Sequence, residues 1–243
     1  MGRVHLTILA ISLAAAVIVF GAVVQGTIGF GLGLLAAPVV ATVLPGAIPV
    51  TLVLVTWPIG AISAAREVHA LDRVSLPWML LGALPGTIVG LVVIHLADAH
   101  QLAVIVGVTT VLGVGVTSLR RDVPLNRTSA GIAGFIGNVT GTAASVGGPP
   151  VALLFQHQRG PTVRSTLGAY FAISGTLSVI GYAATGAITV DRLLLALALL
   201  PAMLFGAWLS KHFHGLVDAG WLRPAVLVLS VIAGSLAILR GLL

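Results

Sequence analysis

The chain has no cysteine and very little charge: of 243 residues only 7% are Asp, Glu, Lys or Arg, against 58% hydrophobic. The missing cysteine excludes disulfides, thiolate metal sites and cysteine nucleophiles. The scarcity of charge excludes an ordinary soluble domain, in which roughly a quarter of residues are charged. The six acids, Glu67, Asp72, Asp98, Asp122, Asp191 and Asp218, all lie at the ends of apolar runs or between them. With no carboxylate inside a long span, neither a proton relay nor an acid–base enzyme finds its groups at membrane depth, and no catalytic residue is expected. No Gly-x4-Gly-Lys-Ser/Thr motif is present, so ATP drive would need a separate subunit. No cofactor is expected.

What is present is apolar sequence in lengths that suit a bilayer. Mean hydropathy is +1.15, and uncharged runs of about 20 residues, each long enough to cross a membrane, recur from end to end. The fold class expected is an all-α polytopic membrane protein. The first run, residues 6 to 24, continues into a second apolar run without a cleavage site, and reads as retained rather than as a signal peptide. Net charge is +6, but the basic residues are scattered over short loops without aromatic interleaving. They read as topology signals, with lipid rather than nucleic acid as the surrounding partner.

Long spans are expected at 48–66, 76–96, 101–119, 165–184, 190–210 and 222–242. Two segments do not fit. Residues 5–44 are too long for one crossing, and residues 128–156 are only moderately long. Each contains a dense glycine stretch, QGTIGFGLG (Gln25 to Gly33, then Pro38) and NVTGTAASVGG (Asn138 to Gly148, then Pro149 and Pro150). Each segment is either a helical hairpin or a span with an unwound middle. In both halves a broken segment precedes three long spans. Asp72-Arg73 and Asp191-Arg192 open corresponding spans, and Pro85 to Gly90 repeats as Pro201 to Gly206. This is an internal duplication of roughly 115 residues, a first repeat at 1–120, a cytoplasmic linker at 121–127 and a second repeat at 128–243. If the broken segments return to their own side the halves are inverted; if they cross once the halves are parallel. Inversion divides the Lys and Arg residues nine to three, with only Arg3, Arg192 and Arg240 on the minor side, whereas parallel halves divide them eight to four. The positive-inside rule favours inversion.

Paired breaks in corresponding places of two halves point to a transporter binding site, because non-helical backbone at membrane depth survives only inside protein or beside water. The polar residues at depth gather there. Gln25, Thr27, Asn138, Thr140, Thr142 and Ser145 lie among Gly29, Gly31, Gly33, Gly147, Gly148 and Pro149, and these twelve are the expected substrate-binding residues. A helix restarting after each break would aim free N–H groups and a positive dipole end into the gap, which suits a small anion. Gly82, Gly86 and Gly90, at four-residue spacing, suit close helix packing, within one chain or between copies in a homo-oligomer. Weaker candidates are the loop Gln156-His157-Gln158-Arg159 and Tyr170 with Ser174, the tyrosine being more simply read as packing. The pair His212 and His214 lacks a carboxylate or cysteine to complete a metal site, and none is expected.

On the patterns GAVVQGTIGFGLGLLAAP (residues 21–38) and GFIGNVTGTAASVGGPPVALLF (residues 134–155), the chain resembles the sulfite exporter TauE/SafE family of bacterial membrane transporters. The resemblance implies movement of small anions, often sulfur oxyanions or organosulfonates, across the bacterial inner membrane. Second halves in that family often read Gly-x-Gly-Gly-Pro; here Ser145 stands at the first position, before Gly147, Gly148 and Pro149. The leading expectation is a secondary transporter, an exporter in direction, that alternates access around the two breaks. A passive anion channel and a membrane scaffold subunit are the competing readings.

Overall fold

A computed structural model describes residues 2–118, 123–213 and 222–242, and these residues form helices without a strand. The first half contains α1 (Gly2–Ile28), α2 (Leu32–Val43), α3 (Val50–Arg66), α4 (Leu76–Leu96) and α5 (Ala99–Ser118). The second contains α6 (Arg127–Ala144), α7 (Gly148–Leu154), α8 (Gly160–Ala184), α9 (Val190–Ser210) and α10 (Leu222–Leu242). By length and composition five helices can cross a membrane: Ile8–Ile28 of α1, α4, α5, α8 and α9. All six expected long spans appear as helices within a few residues of their limits. Of the linker expected at 121–127, residues 121 and 122 lie outside the described residues.

Both broken segments are hairpins. After α1 the chain turns through Gly29 and Gly31, at φ 102° and 122°, a region that side-chain-bearing residues rarely adopt. α2 then runs back along α1, so that Leu32 meets Gly21 and Leu35 packs with Val24. The second hairpin begins at a capping box, in which the Asn126 side chain accepts from Ser129 N–H (2.9 Å) and Ser129 Oγ accepts from Asn126 N–H (3.0 Å). α6 ends at Ser145, and α7 turns back so that Gly147 lies against Gly137 and Gly141. Ser145 has φ 60°, the left-handed conformation that a glycine would adopt without strain. Its hydroxyl donates to the Pro49 carbonyl at 3.2 Å, a bond that glycine could not make.

The helices pair in a pattern that survives exchange of the halves. Swapping α1–α5 for α6–α10 turns the α1–α9 pair into α6–α4, α2–α10 into α7–α5, and α3–α9 into α8–α4, while α3–α8 and α5–α10 map onto themselves. These last two pairs run antiparallel. Gly60 meets Gly168 and Ala172 while Glu67 meets Arg164, and Gly107 meets Gly234 while Gly241 meets His100. Asp72, at the turn into α4, has its carboxyl held below its ordinary pKa. Partial burial opposes this, but hydrogen bonds from the Ser75 hydroxyl and from Ser75 and Val74 N–H outweigh it.

Among lipids as apolar as leucine, helices associate through close backbone approach rather than through burial of apolar surface from water. The stripe Gly82, Gly86 and Gly90 serves this within the chain, facing Gly131 and Phe135, then Asn138, then Thr142 of α6. A Cβ on Gly82 would lie 2.0 Å from the Gly131 carbonyl oxygen. Gly82→Ala should therefore push α4 from α6 and destabilise the protein by about 1–3 kcal/mol. Gly115, where an added methyl group would meet nothing within 4 Å, supplies the control: Gly115→Ala should be neutral or slightly stabilising in thermal unfolding of the detergent-purified protein.

Candidate functional site: a cavity where the two hairpins meet

The hairpin tips touch. The position a Cβ would take on Gly33 is only 1.8 Å from the Ser145 carbonyl oxygen, and the equivalent position on Gly148 is 3.2 Å from Phe30. Beside this contact lies a cavity of about 80 Å³, lined by both tips and by the middle of α8 and the first turns of α3. It has room for several waters, each needing about 10–15 Å³, or for one small dehydrated ion. Among the described residues no Asp, Glu, Lys, Arg or His lines it.

Of the twelve expected residues, eight border the cavity: Gln25, Gly31, Gly33 and Asn138, together with Ser145, Gly147, Gly148 and Pro149. The other four do not. Thr27 is buried and its hydroxyl returns to the Val23 carbonyl at 2.5 Å. Gly29 forms the turn against the Arg164 backbone. Thr140 clips the second hairpin shut, donating to Val146 O at 2.9 Å while its own carbonyl accepts from Val146 N–H. Thr142 pairs with Ser178 Oγ at 2.7 Å beneath Gly90. The Thr27 and Thr140 hydroxyls thus support local backbone, and that of Thr142 ties α6 to α8.

Hydrogen-bond partners fix the orientation of the two amides. Leu32 N–H donates to Gln25 Oε1 at 3.3 Å, so the oxygen caps the start of α2 and the –NH2 is left for the cavity. Gly33 and Leu34 follow in the first turn of α2, where backbone N–H groups have no partner within the helix. This side of the cavity is a donor surface backed by a helix dipole. Asn138 is turned the other way. Its Nδ2 donates to the Ala83 carbonyl (3.0 Å) and to Thr87 Oγ1 (2.6 Å), and because Ala83 O can only accept, the nitrogen must face α4. Oδ1 remains on the Gly141 side as an acceptor. The start of α7 offers fewer donors than expected, because Pro149 and Pro150 carry no N–H.

Two further wall residues, Tyr170 and Ser174, were weak candidates in the sequence. Both border the cavity, with Tyr170 OH anchored to Gly134 O at 2.8 Å. Trp57, Thr56 and Ser178 also line it and carried no signal in the sequence, since α3 and α8 are unbroken helices. His212 packs edge-on against Trp208, away from the cavity, and His214 lies outside the described residues.

Two sets of bonds between helices flank the cavity. Towards the ends of α1 and α3, Arg164 forms a bidentate ion pair with Glu67 (2.5 and 2.9 Å) and reaches the Thr27 carbonyl at 3.4 Å. Towards the start of α3, Ser145 Oγ bonds Pro49 O, and Tyr182 OH bonds Thr142 O at 2.5 Å. Beyond this second set lies a separate cavity of about 350 Å³, lined by Pro49, Val50, Tyr182, His95 and Arg192 among others, which shares no residue with the first.

No curated protein and no solved structure matches the chain. A family model described as Sulfite exporter TauE/SafE matches residues 13–236, which include both hairpin tips and all but the first turns of α1 and the last turns of α10. The chain therefore belongs to the sulfite exporter TauE/SafE family, multi-pass membrane transporters of sulfite- and sulfonate-type anions.

Proposed function

We propose that this protein is a secondary transporter that exports a small oxyanion, a sulfite or sulfonate, across the bacterial inner membrane by alternating access around the cavity between its two hairpins. The observation that carries this reading is the meeting of both tips at a charge-free polar cavity whose Gln25 amide and α2 N-terminus are aimed as donors. Preorganised N–H groups at a helix start bind anions without a buried cation. The eight bordering residues named above form the binding site in this reading.

The pairing pattern supports inverted repeats. Helices that exchange under the internal two-fold and lie antiparallel, as α3 with α8 and α5 with α10, place that axis across the helices, in the plane of the membrane. Arg66, Arg73, Arg127, Arg159, Arg164 and Lys211 then gather at one end, which the positive-inside rule assigns to the cytoplasm, and Arg192 and Arg240 at the other. One half rocking against the other would break the Glu67–Arg164 ion pair and the Ser145–Pro49 bond, the two contacts here that join the halves, in turn. The outward side chains of α4, Leu81, Leu84 and Ile88, are exposed and would meet lipid. Asn138 Oδ1 gives the site one acceptor, suited to an anion oxygen that carries a proton. A proton can then travel on the substrate itself, without a carboxylate in the spans.

Purified protein in liposomes tests the reading with labelled sulfite, taurine, sulfoacetate, sulfate and small carboxylates. The expected result is saturable uptake of one sulfur oxyanion or sulfonate, accelerated by the same anion on the far side. Non-saturable flux without that acceleration would identify a passive channel. Absence of flux for every anion would favour a scaffold subunit.

A further inference from the structure

We propose that the 350 Å³ cavity beyond the Ser145 and Tyr182 bonds is a second anion site, a vestibule in which Arg192 collects hydrated oxyanions of the transported class. The proposal rests on the transport reading above. Arg192 stands at the end of the molecule that holds few basic residues, where topology alone gives no reason for a cation. It is partly buried and lines the cavity wall. Its guanidinium spends one N–H on the Ala187 carbonyl (2.7 Å), and among the described residues Nε and Nη2 make no other hydrogen bond. A guanidinium carries five donors in a fixed fork that matches two oxygens of an oxyanion, so most of that capacity is uncommitted.

The surroundings favour an anion. His95 of α4 lines the same cavity, and among the described residues no Asp or Glu does. The nearest acids along the chain do not line the cavity: Asp98 caps α5 through Gln101 N–H at 2.8 Å, and Asp191 is exposed. Tyr182 and Pro49, which bond Thr142 and the inner-cavity residue Ser145, line the vestibule on its inner side. Volume separates the roles of the two chambers. About 350 Å³ accommodates an anion with part of its water, whereas about 80 Å³ takes it stripped, so the guanidinium holds the ion at the step where hydration is lost. A single-sign cleft with low-dielectric walls also raises the local concentration of its counter-ion, by a factor of about 10 or more in known cases, and does so less at high ionic strength.

The test compares wild type, Arg192→Gln, Arg192→Lys and Arg240→Gln in liposomes, measuring initial rates against anion concentration at low and high salt. Arg240 serves as control because it lies at the same end and bonds the Thr42 carbonyl, outside the vestibule. Arg192→Gln should raise the half-saturating concentration about tenfold and flatten its salt dependence. Arg192→Lys should keep the salt dependence with a smaller shift, and Arg240→Gln should match wild type. The vestibule is overturned if Arg192→Gln keeps the wild-type half-saturation, or if Arg240→Gln shows the same shift. It is also overturned if Arg192→Gln lowers only the thermal stability, through the lost Ala187 bond, with salt dependence intact. Wild-type flux with an indifferent Arg192→Gln sinks the vestibule alone, whereas no wild-type flux sinks the transport reading and the vestibule with it.

Discussion

Gln25→Glu is expected to leave the protein folded and to cut anion flux by about 100-fold or more. The substitution keeps an oxygen where Leu32 N–H needs one, so the start of α2 stays capped. What changes is the other half of the group: an –NH2 facing the cavity becomes a carboxylate oxygen. Two like charges about 4 Å apart cost roughly 4 kcal/mol at an effective dielectric of 20, and about 1.4 kcal/mol is a factor of ten. Partial protonation of the new carboxyl would reduce that penalty, which sets the expectation below the full thousandfold and predicts recovery of flux at acid pH. Liposome flux combined with a thermal melt reads both quantities, and wild-type flux from well-folded Gln25→Glu would remove the amide from the site. Asn138→Ala, the more obvious test from the sequence, is less clean. Asn138 donates to both Ala83 O and Thr87 Oγ1, so truncation also strips a buried carbonyl of its partner, at a cost of about 1–3 kcal/mol. Flux and stability would fall together.

Gly33→Ala is expected to abolish transport through the backbone. A methyl group there would sit 1.8 Å from the Ser145 carbonyl oxygen, about half a normal contact distance, and the atom in its way belongs to the opposing hairpin's backbone. No side chain can swing aside. The tips must part by more than an ångström, which opens the Ser145–Pro49 bond and deforms the cavity, and the cost exceeds the usual range of about 1–3 kcal/mol for an overpacked core. Size-exclusion profiles and melting temperature would show loss of folded protein or a large fall in stability, with flux absent in any fraction that folds. Gly115→Ala, in open space on α5 and outside both cavities, should behave as wild type. Wild-type stability and flux from Gly33→Ala would mean that the tips do not meet in the working protein.

Much of the architecture could be read from the residues because it is written in local chemistry. Scarce charge and long apolar runs mark a membrane protein, and dense glycine among amide and hydroxyl residues marks where its helices break. The duplicated order of elements and the uneven distribution of arginine are likewise properties of the chain alone. The turns at Gly29–Gly31 and Ser145–Gly147 appear where those signals placed them.

Which side chains face the cavity was decided by tertiary packing. Nearly every residue in these helices is apolar or small, so no amphipathic pattern shows which side of each turns inward. Helix rotation is settled by contacts from distant parts of the chain, such as Gly82 on Gly131 and Gly60 on Gly168. Thus Thr27, Gly29 and Thr140 share the breaks with Gln25 and Asn138 but serve the backbone, and Thr142 pairs with a side chain of α8, while Trp57, Tyr170 and Ser178 reach the cavity from unbroken helices. The direction of each amide needed the partner as well: the Ala83 carbonyl turns Asn138 into an acceptor and Leu32 N–H turns Gln25 into a donor. The sequence by itself determined where the helices break, because backbone propensity is local. Only the tertiary structure decided what the broken ends offer a ligand, because a hydrogen bond has a direction only once both partners are in place.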